Sequence, residues 1–99
     1  MPRYLSNTLE FLFPRKEEYR ELALTILLEI RDRQYTENKF NAKEWRDFCK
    51  KVGCKEEHYQ YVLSTLKHKG LVIKKGGHHE GEYTISTEFW DGLLRSLAQ

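Results

Sequence analysis

Leu66-Lys67-His68-Lys69-Gly70-Leu71-Val72-Ile73-Lys74-Lys75-Gly76 is the stretch on which the fold turns. Its first residues end a helical pattern in which Tyr59, Val62, Leu63 and Leu66 recur at three- and four-residue spacing. Gly70 then supplies the left-handed conformation in which helices commonly end. The apolar run Leu71-Val72-Ile73 after it is β-rich, and Gly76-Gly77 opens a loop toward a second such run, Glu82-Tyr83-Thr84-Ile85-Ser86. A helix feeding directly into a glycine-tipped β-hairpin is the reading, with Tyr83 and Ile85 on one face of the hairpin and Thr84 on the other.

Upstream, the helix begins at Glu56-Glu57, acids that suit the positive end of a helix dipole. It follows a tight turn at Gly53. A shorter helix precedes that turn, started by Asn41 with Glu44 three residues on in a capping-box arrangement, and it carries Trp45, Phe48, Cys49 and Val52 on one face. The segment Thr36 to Phe40 is polar and without periodicity. From Glu17 to Arg33 the positions Tyr19, Leu22, Ala23, Ile26, Leu27 and Ile30 follow helical spacing, and Leu24 and Leu28 widen the apolar face so that a second element must cover it. Leu5, Leu9 and Leu12 line a short first helix that Pro14 ends. Downstream, Ser86 or Thr87 caps a last helix with Phe89, Trp90, Leu93, Leu94 and Leu97 as apolar positions, more than a thin helix on a small domain needs.

Composition sets the scale. Ninety-nine residues hold one core, and an apolar share of 39% makes that core thin. Leu, Ile, Val and Phe together still number 25, enough to exclude default disorder. The net charge is only +2, yet Lys67 to His79 hold Lys67, Lys69, Lys74 and Lys75, three histidines and no acid. No stretch is long and apolar enough to span a bilayer, and Met1 to Phe13 lacks the pattern of a secretory signal. Two cysteines are too few for a disulfide scaffold, and the expectation is a cytoplasmic protein without membrane attachment.

The order helix, helix, tight turn, helix, two-stranded hairpin, helix resembles the winged helix-turn-helix superfamily, most specifically over Ala42 to Ile85. The resemblance implies an α+β, mainly helical fold with a β-hairpin wing and additional N- and C-terminal helices. It also implies one domain over residues 1–99, with an N-terminal extension helix at 1–13, a core at 17–86 and a C-terminal helix at 87–99. Small regulators of that superfamily bind double-stranded DNA as dimers, so the helix Glu56 to Lys69 is expected in the major groove and the wing Lys74 to Glu80 on backbone or minor groove. The implied DNA-binding residues are Gln60, Tyr61, Ser64, Thr65, Lys67, His68 and Lys69 on the helix, and Lys74, Lys75, His78 and His79 on the hairpin. Gln, Ser and Thr can read base edges, whereas Lys, Tyr and His can hold phosphates. Glu57 on the same face departs from that chemistry. A homodimer through Phe89, Trp90, Leu93, Leu94 and Leu97 completes this expectation.

Other constellations are weaker. Cys49-x4-Cys54-x3-His58 matches no structural zinc spacing, and Cys49 falls on the apolar stripe, so it reads as core and no metal is expected. A Cys49 to Cys54 disulfide stays open. No phosphate-cradling glycine loop, nucleophile elbow or zinc-protease motif is present, so neither an enzyme nor a cofactor is expected. Tyr4, Tyr35, Trp45 and Trp90 read as core or interface aromatics. The alternative to DNA binding is a winged helix used for protein contact, which the modest charge, Glu57 and the aromatic ends favour.

Overall fold

The computed structural model describes residues 9–77 and 81–86. Over these the chain is mainly helical with one two-stranded antiparallel sheet, as the α+β reading anticipates. Residues 9–12 are helical, and Phe13 N–H donates to Leu9 O (2.9 Å) before Pro14 breaks the turn. Helix α1, Glu17–Arg33, has Glu17 and Glu18 in its first turn and Arg31 and Arg33 in its last, each sign matched to the adjacent end of the dipole. Its Leu22, Ala23, Ile26, Leu27 and Ile30 are buried. Leu24 is half-buried against the same core.

The capping box forms as expected. Asn41 Oδ1 accepts from Lys43 N–H (2.8 Å) and Glu44 Oε2 from Asn41 N–H (2.9 Å), opening a 3-10 turn over Ala42–Glu44. Helix α2, Trp45–Val52, follows and stops at Gly53, whose φ is 73°. Helix α3, Glu56–His68, buries Tyr59, Val62, Leu63 and Leu66. At its end Gly70 takes a φ of 77°, with Gly70 N–H on Lys67 O and Leu71 N–H on Leu66 O, both 3.0 Å. This paired closure caps two otherwise orphaned carbonyls and turns the chain into the hairpin.

Strands β1, Val72–Lys75, and β2, Glu82–Ile85, pair with Val72 opposite Ile85 and Lys74 opposite Tyr83. Tyr83 and Ile85 face inward and are buried, while Thr84 is half-buried on the other side. Two features depart from the sequence reading. Phe40, in the segment taken as polar, is 1% exposed and packs edge-on against Phe48 at 5.3 Å. The chain beside it also pairs with β2: Phe40 O accepts Tyr83 N–H (2.9 Å), Gly81 O accepts Ala42 N–H (2.7 Å), and Asn41 and Glu82 form a bridge. A single bridge has no alternation for sequence periodicity to detect. Tyr35 stands 83% exposed and so is not a core aromatic, whereas Trp45 is half-buried against the core. Tyr4, Trp90 and the expected C-terminal helix with its dimer positions lie outside the described residues. No described helix is long and apolar enough to cross a membrane.

Candidate nucleic-acid interface

The outer face of α3 is polar as expected. Glu57, Gln60, Ser64, Lys67, His68 and Lys69 are exposed, and Thr65 is half-buried with its hydroxyl donating to Tyr61 O (3.0 Å). Tyr61 is 47% exposed, but its ring lies 5.1 Å from that of Tyr19 and 6.1 Å from that of Phe13. It therefore packs at the seam between α3, α1 and the N-terminal segment. At 100° per residue, Gln60 and Lys67 lie 20° apart on the opposite flank of α3. The expected reading face is thus divided between an aromatic flank and a basic one.

The basic flank forms one wall of a cleft of about 430 Å³, lined by Ala42, Lys43, Trp45, Arg46, Tyr59, Gln60, Leu63, Lys67, Lys74 and Tyr83. Four cations converge on it: Lys43 from the 3-10 turn, Arg46 from the start of α2, Lys67 from α3 and Lys74 from β1. Among the described residues, none of this lining is acidic. The Arg46 guanidinium sits 4.9 Å from the centroid of the Trp45 ring, a cation–π contact that restrains it while leaving its edge donors available.

Lys74 and Lys75 do not act as a pair. Strand alternation turns Lys74 to the inward face beside Tyr83, where it is half-buried, and Lys75 to the exposed face. The Lys74 stem crosses Gly81 so closely that a Cβ there would lie 2.8 Å from Lys74 Cγ and 3.1 Å from the Gly77 carbonyl. Absence of a side chain at Gly81 thus lets Lys74 run across the hairpin to the cleft. His78 and His79 lie outside the described residues.

The floor contains an unmet polar group. Tyr59 is 1% exposed and its hydroxyl has no hydrogen-bond partner; burial, with Tyr83 and Cys49 next in effect, pushes that hydroxyl well above its ordinary pKa. It is neutral at physiological pH, a donor without an acceptor.

Sequence reading missed Lys43 and Arg46. They alternate with Glu44 and Asp47, so the segment looks charge-balanced. The acids leave the cleft in the fold: Glu44 turns to Arg33 (2.8 Å) and Asp47 is not in the lining. The Asn41 cap was the available signal, since it fixes where α2 begins and therefore which residues project beyond its first turn. A second, smaller cleft of about 340 Å³ joins Cys54 and His58 to Glu18 and Glu21, but no cluster of three potential metal ligands exists among the described residues. No protein-family model and no curated protein matches this sequence.

Proposed function

We propose that this chain is a small winged-helix protein that binds double-stranded DNA sequence-specifically as a homodimeric transcriptional regulator. The observation that carries the reading is the convergence of Lys43, Arg46, Lys67 and Lys74 beside the hydrogen-bonding side chains Gln60 and Ser64 of α3. Cations from four elements around one exposed helix flank match a duplex, whose phosphates border the groove in which base edges are read. In this reading α3 enters the major groove, Gln60 and Ser64 select bases, and the four cations neutralise phosphates. The pairing of residues 40–42 with β2 supports it further by holding the start of α2 and the hairpin on the same side of α3. Dimerisation through Phe89, Trp90, Leu93, Leu94 and Leu97 belongs to the same proposal, and requires two such faces about 34–36 Å apart.

The test is fluorescence anisotropy of a random-sequence duplex across a salt series. Four neutralised phosphates per protomer give a log–log slope of about −3.6. Absence of saturable binding at about 50 mM salt overturns the reading. One observation favours a protein-contact role instead: Phe11 and Tyr35 are 81% and 83% exposed, and Glu57 stands on the outer face of α3. Loss of a protein complex, with duplex affinity unchanged, in Phe11→Ser and Tyr35→Ser variants is the result that reading requires.

A further inference from the structure

We propose that Cys49 and Cys54 form a redox-active dithiol, which a small disulfide oxidises to an internal disulfide that locks the turn between α2 and α3. Nothing in this couple depends on duplex binding.

The turn brings the two sulfurs together. Gly53 N–H and Cys54 N–H both donate to Cys49 O, at 2.9 and 3.1 Å, around the left-handed Gly53. Cys49 lies one turn before that glycine and Cys54 directly after it, the two positions whose side chains meet in a helix end of this kind. They meet here: both are free thiols, Cys54 packs against the core cluster that contains Cys49, and the two thiols share a hydrogen bond. The backbone bond between the same residues draws the chain together at that point, as the short reach of a disulfide requires.

The two thiols are unequal, and this sets the order of reaction. Cys54 is half-buried and lines the cleft of about 340 Å³ between α1 and α3, beside Glu18, Glu21, Lys55 and His58. Cys49 is buried and outside that described lining. A small disulfide therefore meets Cys54 first. The Cys54 thiolate attacks one of its sulfurs, a mixed disulfide forms, and the first small thiolate leaves and takes up the proton that Cys54 lost. Cys49 then gives up its proton and attacks Cys54 Sγ; the Cys49–Cys54 bond forms as the bond to the small group breaks, and the second small thiol departs with that proton. Two protein thiols are oxidised and one disulfide is reduced to two thiols. The first step eases the second. Burial, the Cys54 hydrogen bond and the Cys54 charge are the leading causes that push the Cys49 thiol up to about 12, and a mixed disulfide at Cys54 removes the latter two.

The experiment incubates the reduced full chain with hydroxyethyl disulfide, whose neutrality keeps the charges of Glu18, Glu21 and Lys55 out of the comparison. Acid-quenched samples are read by intact mass and tryptic mapping. Trypsin cuts after Lys50 and Lys51, so a Cys49–Cys54 bond joins two peptides. The folded chain is expected to pass through a transient mixed disulfide at Cys54 to the internal disulfide, favoured about tenfold over the same chain in urea at one thiol–disulfide ratio. Cys49→Ser is expected to stop at the mixed disulfide, and Cys54→Ser to react about tenfold more slowly than wild type. Amide exchange at Gly53 and Cys54 is expected to slow about tenfold in the oxidised chain. A lasting mixed disulfide in the wild type, or no reaction at either thiol, overturns the couple. Equal oxidation in urea overturns the part played by the folded turn. Cys54→Ser reacting at the wild-type rate overturns the order of attack, and unchanged amide exchange overturns the lock.

Discussion

Gln34 Oε1 accepts a hydrogen bond from Ile85 N–H at 2.9 Å, tying the end of α1 to the last residue of β2 across 51 positions of sequence. Gln34 is 6% exposed, so this amide–backbone contact lies where water cannot replace it. Its backbone N–H meanwhile closes the helix on Ile30 O (2.8 Å). Gln34→Ala is expected to leave the Ile85 N–H unpaired and to cost about 1–3 kcal/mol in denaturant unfolding. An unchanged midpoint would show that the hairpin does not depend on this tie.

Arg33 collects an unusual number of partners for one side chain. It donates to Glu44 (2.8 Å), Glu29 (3.3 Å) and Asn38 O (2.7 Å), and so binds the connecting segment to the cap of α2. Burial pushes the Glu44 carboxyl up, but the Arg33 hydrogen bond, the Asn41 N–H and the Arg33 charge outweigh it and hold the group below its usual 4.5. A lowered folded pKa means that stabilisation is complete above the unfolded value and is lost as pH falls through the folded one. Thermal stability is therefore expected to fall below about pH 4.5, and Glu44→Gln to flatten that acid slope. Glutamine still fits the capping box, so the variant loses only about 1 kcal/mol at neutral pH, given the partial exposure of this pair. An acid slope identical to wild type would remove Glu44 from the linkage.

Tyr59→Phe removes a buried donor that the protein leaves unsatisfied, while keeping the ring beside Phe48 (5.7 Å). The substitution is expected to be neutral or to stabilise by up to about 1 kcal/mol, since no hydrogen bond is lost and a desolvation cost disappears. A loss of more than about 1 kcal/mol in chemical denaturation would mean that the hydroxyl has a partner in solution.

How much of this was legible in the sequence depended on whether a feature repeats. Tyr59, Val62, Leu63 and Leu66 recur with the helical period, and Gly53 and Gly70 stand at the helix ends, so α2, α3 and the hairpin are readable in order. Phe40 carries no such rhythm: one aromatic in a polar segment becomes core only because the chain there bridges to β2. The cleft was half legible. Lys67 and Lys74 stood out in an acid-free run, but Lys43 and Arg46 were masked by Glu44 and Asp47, which tertiary contacts direct elsewhere. Alternation along β1 already separated Lys74 from Lys75, yet counting them as one charge cluster concealed it.

The two thiols differ in environment. Burial first, then the hydrogen-bonded Cys54 side chain, pushes the Cys49 thiol up to about 12, and Cys49 is 8% exposed against a half-buried Cys54. Because the thiolate is the reactive form, Cys49 is expected to label more slowly than Cys54 by about tenfold or more with a thiol reagent at pH 8. Cys54→Ser should then abolish the fast phase and leave the slow one. Equal rates in the wild type would indicate that the α2–α3 turn opens readily enough to expose Cys49.

Lys74 and Lys75 separate two ways of presenting the hairpin to a duplex. If the cleft side of α3 is the binding face, Lys74 lies on it and Lys75 points away, so their substitutions cannot be equivalent. Lys74→Glu is expected to weaken random-duplex binding about tenfold and to make the salt slope shallower by about 0.9, whereas Lys75→Glu costs about twofold. Gly81→Ala supplies an independent check, because its Cβ collides with the Lys74 stem and displaces the ammonium without altering any charge. It should reproduce the direction of the Lys74 effect in anisotropy at fixed salt. If Lys75→Glu proves as damaging as Lys74→Glu, the wing meets the duplex along its tip instead of its inner face, and the orientation of α3 in the groove must rotate accordingly.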